Sequence, residues 1–179
     1  MNRATTAGKT FIPLILALSV SGCGLTQKVS EGTASITKSI FYKQIRTLHL
    51  DFRAREGANR NAQGAALSTV VRIWQLKDSK DFDASDYPSL LAADSQVLKA
   101  DLLAQKDIRI RPGESVSIDM PMDDKAEFVA VAGLFLSPDT QDDQWRILLT
   151  RDDLDPDNAR VIELGDGTLT LVAEKVKRP

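Results

Sequence analysis

The sequence has little of what most protein chemistry needs. Its 179 residues include one cysteine, Cys23, and one histidine, His49. A single cysteine excludes an internal disulfide and a thiolate zinc cluster. A single histidine with no second thiol argues against a catalytic zinc site. His49 falls mid-strand on the polar side of "RTLHLDF", and no nucleophile-elbow motif is present, so it reads as a surface histidine rather than a general base. Phosphate-loop and dinucleotide fingerprints are missing. No basic stripe stands out, and the net charge is −2, so nothing favours nucleic acid. No apolar run reaches the roughly 20 residues that a membrane-spanning helix requires. Asp153, Asp155 and Asp157 have the alternate spacing of a calcium loop's first ligands. The positions that such a loop reserves for Gly and Glu hold Asn158 and Leu164, and Pro156 stiffens the segment, so these acids read as a turn. The expectation is a protein without enzyme activity, metal or cofactor.

The most informative feature is where the one cysteine stands. Arg3 and Lys9 give a positive start, Phe11 to Val20 form a short apolar core, and "VSGC" closes the run on Cys23. This is the layout of a secretory signal peptide. No Ala-x-Ala cleavage site is nearby. Ser21 and Gly22 before Cys23 instead resemble a bacterial lipobox, with Val20 where leucine is more usual. The resemblance implies cleavage before Cys23 and acylation of its thiol and new amine. The thiolate is the nucleophile that serine cannot replace, and more than one acyl chain is needed for a stable anchor. Gly24 follows, without the Asp that retains lipoproteins in the inner membrane, which resembles an outer-membrane sorting signal. Removing Arg3 and Lys9 takes the basic count from 23 to 21 against 25 acids, a formal charge of about −4.

We divide the chain into a signal peptide (1–22), a lipidated cysteine with tether and lead-in (23–44) and one β domain (45–179). The polar run "GLTQKVSEGTAS" at 24–35 reads as a flexible tether reaching only about 20 Å. From Arg46 the apolar period becomes two: Leu48, Leu50 and Phe52 share one face. Residues 53–67, "RAREGANRNAQGAAL", have no apolar period and read as a long loop, a feature that is often functional. "STVVRIWQL" at 68–76 is apolar on both faces, as in a central strand. Ser85 is placed as the cap of a short helix running to Ala92, with Pro88 early in it. Asp81, Asp83 and Asp86 read as helix-start charges, and Val97 to Leu103 as a segment packing beside the helix. "DIRIRPGESVSIDM" reads as two strands around a Pro112-Gly113 turn. "EFVAVAGLFL" at 127–136 reads as a strand buried on both faces, "QWRILLT" as the next, and "RVIELGDGTLTLVAEK" as a closing hairpin with Gly165-Asp166-Gly167 at its tip. Seven or eight short strands with one helical interruption favour an all-β sandwich, with a small barrel as the alternative.

Several stretches, in order, resemble the outer-membrane lipoprotein of the type VI secretion system, the TssJ family. They are the lipobox to Cys23, "VVRIWQLKDSKDF" at 70–82, "ADLLAQKDIRIRPGES" at 100–115, "VAVAGLFL" at 129–136 and "QWRILL" at 144–149. The resemblance implies a transthyretin-like β-sandwich with short helical insertions. It implies a structural role in a secretion membrane complex, in which the protein binds the periplasmic C-terminal region of the large inner-membrane component, TssM. The outer membrane would hold the protein through acyl chains on Cys23, on the periplasmic face. The family's contact loop corresponds to Arg53–Leu67, which offers Arg53, Arg55 and Arg60 as fork-like donors and Asn59, Asn61 and Gln63 as neutral partners. The competing reading is a periplasmic carrier or ligand-binding lipoprotein on the same sandwich. No nucleic acid and no small-molecule substrate is expected.

Overall fold

The computed structural model describes residues 44–92 and 96–173. The chain divides into Met1–Tyr42 and Lys43–Pro179, and the architecture below is that of the second unit. Cys23 and the tether lie outside the described residues.

Among the described residues, eight strands form two four-stranded sheets. In chain order they are β1 (Thr47–Ala54), β2 (Thr69–Leu76), β3 (Leu102–Ile110), β4 (Ser115–Pro121), β5 (Phe128–Leu134), β6 (Arg146–Thr150), β7 (Arg160–Leu164) and β8 (Leu169–Leu171). Two short helices, α1 (Lys80–Ala84) and α2 (Tyr87–Leu91), interrupt the series after β2. One sheet has the order β4-β1-β7-β8, the other β3-β2-β5-β6. All pairings are antiparallel except β1 with β7, which run parallel from Leu50↔Arg160 to Ala54↔Leu164.

The alternation in β1 comes out as expected. Leu48, Leu50 and Phe52 are buried, and their register partners Met120, Ile118 and Val116 on β4 share that inward face. Ile162 and Leu164 of β7 continue it. Val71 and Ile73 of β2 face them from the second sheet, beside Val131 and Val129 of β5. The sandwich is closed by this apolar double layer, as aligned sheet packing requires.

β2 and β5 are central and covered on both sides, which explains their continuous apolar runs. Trp74 on the outer face meets Phe82 of α1 edge-on, with ring centroids 5.9 Å apart. Ala130 and Ala132, fully buried on β5, keep that surface flat enough for the helices to lie against it. Gln75, fully buried on β2, is polar. Its amide donates to the Pro121 carbonyl at 2.8 Å and accepts from the Asp123 amide at 2.8 Å, so both ends are satisfied and the sheets are tied together at one end.

Three details differ from the sequence reading. The helix cap is Asp86, which accepts from the Ser89 amide at 3.0 Å; Ser85 instead ends α1 and turns its hydroxyl to the Asp81 carbonyl. Pro88 in the first turn of α2 suits Asp86 better, because proline belongs just after a cap. β3 begins at Leu102, earlier than the alternation of Ile108 and Ile110 suggested, because pairing with β2 carries a weakly patterned segment into the sheet. The strand through "VAVAGLFL" stops at Leu134, after which Phe135 turns inward and Leu136 outward, 59% exposed.

Candidate partner-binding site

The loop expected from Arg53 begins two residues later: β1 runs on through Arg53 and Ala54, with Arg53 opposite Ser115 on β4 and Glu163 on β7, because pairing on both sides carries the strand past the end of its apolar alternation. From Arg55 the connection leaves one end of the sandwich and is more ordered than its composition suggests. Arg60 and Ala66 form a β-bridge. Inside that bridge the Asn61 carboxamide oxygen accepts from the Gln63 amide at 3.0 Å and the Ala65 amide at 2.9 Å, an Asx turn that folds the tip back on itself. The loop is therefore a small hairpin of its own.

The six candidate contact residues separate into three kinds of position. Arg53, Arg55, Arg60 and Gln63 are exposed. Arg55 donates to Glu163 at 3.1 Å, an exposed pair of the kind that adds little stability. Asn61, half-buried, uses its oxygen to shape the tip. Asn59 is only 4% exposed and adopts φ 52°, the left-handed conformation that asparagine tolerates better than most residues. Its side-chain amide donates to the Ser68 carbonyl at 3.3 Å, while its oxygen accepts from the Leu136 amide at 2.8 Å. Its own carbonyl accepts from the Leu67 amide at 3.2 Å, and its amide donates to the Gly165 carbonyl at 3.4 Å. Asn59 thus acts through the shape of the surface, tying the loop to the segment after β5 and to the β7–β8 turn.

That junction holds groups that the sequence reading did not single out. Asp166 at the tip of the β7–β8 turn accepts from the Arg60 amide at 2.8 Å. Gly167 sits at φ 87°, and a Cβ there would lie 2.3 Å from the Ser137 carbonyl oxygen, so only glycine lets this turn approach so closely. Arg60, Asn61, Ala62, Leu136, Ser137 and Asp166 line an open groove of about 430 Å³. The one available sequence signal was the double glycine around Asp166. Leu136 looked like the last residue of a buried strand.

The β3–β4 turn borders the loop on its other side. The Gly113 amide donates to the Arg55 carbonyl at 3.3 Å, and the Ala54 amide to the Glu114 carbonyl at 2.9 Å. The acids at 153–157 serve their own backbone. Asp153 accepts from the Thr150 amide and hydroxyl, both at 2.7 Å, and these bonds hold its carboxyl below the usual range. Asp155 accepts from the Asp157 and Asn158 amides. Among the described residues no group of three or more His, Cys, Asp or Glu side chains is placed to hold a metal ion. His49 lies against Asp119 on the outer face of the β4-β1 pair.

Two antiparallel-rich sheets, a short helical excursion over one of them and an ordered loop hairpin at one end define a β-sandwich of the type VI secretion lipoprotein kind. The family model of the type VI secretion lipoprotein (T6SS-SciN; VasD, EvfM, TssJ) matches residues 46–167, and the chain belongs to that family. Among solved structures, a chain described under "Type VI membrane complex" is 52% identical, with a TM-score of 0.70, covering 73% of this chain and 100% of its own length. A chain described under "T6SS protein TssM C-terminal domain (869-1107) from EAEC" is 50% identical, with a TM-score of 0.67 and the same coverage. The lipoprotein TssJ1 from Pseudomonas aeruginosa shares the fold at 23% identity and a TM-score of 0.62, over 73% of this chain and 98% of its own. No curated protein sequence matches.

Proposed function

We propose that this lipoprotein is the outer-membrane anchor of a type VI secretion membrane complex and binds the periplasmic C-terminal region of a TssM-like inner-membrane component through the Arg53–Leu67 loop. The observation that carries this reading is the 50% identical chain found under the description of a TssM C-terminal domain, matched over its full length. In this reading residues 1–22 are removed as a signal peptide, Cys23 carries the acyl chains, residues up to 44 lead in, and 45–179 form the binding domain. The role is structural rather than enzymatic: acyl chains hold one end of the chain at the periplasmic face of the outer membrane while the sandwich grips the partner.

The geometry supports the loop as the contact. It is exposed, fixed by internal hydrogen bonds and rich in arginine, a residue enriched at interface hot spots. Order before binding lowers the entropy lost on association.

The test replaces Arg53, Arg55 and Arg60 together with Ala in the full lipoprotein, held in detergent micelles, and titrates it with the purified TssM C-terminal region. Cutting one side of charge pairs that become buried costs about 2–5 kcal/mol, so Kd should rise roughly thirty-fold or more. The thermal midpoint should hardly move, since exposed loop changes cost little stability. Undiminished binding would make these arginines solubilising charges and place the contact elsewhere on the sandwich.

A further inference from the structure

One peptide unit at the loop end of the sandwich is held from both sides by side chains. The Phe135 carbonyl accepts from the Tyr87 hydroxyl at 2.7 Å, and the Leu136 N–H of the same peptide donates to the Asn59 oxygen at 2.8 Å. Tyr87 comes from α2 and Asn59 from the loop after β1, so the clamp joins two distant parts of the chain. Three residues on, the Asp139 amide donates to the Gly167 carbonyl at 3.0 Å. What these bonds brace is a leucine 59% exposed to solvent.

We propose that Leu136 is the apolar anchor of the partner contact, inserting into an apolar pocket on the TssM C-terminal region, with Leu67 beside it. This rests on the reading of the Arg53–Leu67 loop as the partner site and adds a second, apolar half to it. Of the exposed large apolar side chains among the described residues, Leu136 and Leu67 are two of three. Both have their amides on Asn59, one on its side-chain oxygen and one on its carbonyl, so they are neighbours. The arginine loop alone lacks a hydrophobic centre, and interfaces combine an apolar core with a polar rim. Leu136 and Leu67 supply that core, and Arg60, Ser137 and Asp166, which line the groove with Leu136, supply the polar groups beside it. Fixing the leucine in advance removes part of the ordering cost of binding.

The experiment uses the full lipoprotein in detergent micelles, titrated with the purified TssM C-terminal region, beside the triple arginine variant. Leu136→Ala and Leu136→Asp should weaken binding about tenfold or more, with an unchanged thermal midpoint. Tyr87→Phe keeps the leucine but loses one jaw of the clamp. It should weaken binding by less and speed hydrogen exchange at the Leu136 amide. If Leu136→Ala binds as tightly as the natural protein while the arginine variant has lost binding, the anchor role is overturned and the loop reading survives. If both bind normally, both are overturned. Lost binding in the Leu136 variants with normal binding in the arginine variant keeps the anchor and refutes the arginine contact.

Discussion

The Arg146 guanidinium donates to the Phe82 carbonyl at 2.6 Å and lies over the Phe82 ring, 5.3 Å from its centroid. The same group reaches the Ser85 carbonyl at 2.9 Å and Asp143 at 2.8 Å, and stacks over Trp145 at 5.0 Å. One side chain from β6 therefore satisfies carbonyls at the end of α1 and fixes that helix to the outer face of the β2–β5 sheet. A five-residue helix has too few internal bonds to persist alone, so the excursion exists because Arg146 and the aromatic rings hold it.

Arg146→Ala should lower stability by about 2–3 kcal/mol, because it leaves carbonyls without their charged donor. Arg146→Lys should recover less than half of that, since an ammonium lacks the planar fork that donates and stacks at once. Urea denaturation of the three proteins measures the difference. Full rescue by lysine would mean that charge alone matters at this position.

Trp74 and Trp145 are 3% and 1% exposed and therefore belong to the core, not to a binding face. Each also satisfies its ring N–H, Trp74 on Gln105 and Trp145 on Asp143, both at 3.1 Å. Replacing either with Ala should cost about 3–5 kcal/mol, a large share of the 5–15 kcal/mol typical of a domain. An unaltered denaturation midpoint in either variant would refute the packing described for that ring.

What the sequence disclosed follows from what is local. The alternation of Leu48, Leu50 and Phe52 needs only its neighbours in the chain, and it set β1 correctly. The glycines at 165 and 167 marked the last turn for the same reason. The parallel pairing of β1 with β7 joins segments more than a hundred residues apart and leaves no local trace. The exposed end of "VAVAGLFL" was hidden because apolar composition reads as burial. Leu136 stands exposed next to a peptide held by Tyr87 and Asn59, both distant in sequence. Among the loop candidates, the arginines were legible as exposed donors. The internal role of Asn59 depends on Ser68, Leu136 and Gly165 meeting around it, which no spacing encodes.

Tyr87 offers a pH test of that clamp. Burial pushes its hydroxyl above the ordinary tyrosine value. A group whose pKa is raised by folding stabilises the protein fully below its unfolded value, roughly 10, and that contribution disappears as pH rises through the folded value. Stability should therefore fall on the alkaline side of about pH 10, and a phenolate can no longer donate to Phe135. Tyr87→Phe should flatten this limb in denaturation curves taken on both sides of that pH. An equally steep limb in the variant would assign the alkaline loss to another group.

Cys23 follows the apolar run from Phe11 to Val20 and is the only thiol in the chain. Lipid transfer needs a thiolate nucleophile, and a hydroxyl at neutral pH does not supply one. Cys23→Ser should therefore abolish acylation and block signal cleavage, as globomycin treatment should block cleavage of the natural protein. The sandwich should still fold, because its first buried residue, Ile45, comes 22 positions later. A protein with no acyl chain loses the apolar contribution of about 0.8 kcal/mol per buried methylene that holds it to a bilayer. Intact mass and membrane fractionation read the two consequences separately. Acyl mass on the serine variant would overturn the thiolate argument. Natural protein recovered soluble, cut before residue 23 and without added mass would overturn the lipid anchor itself and leave the partner contact as the only attachment.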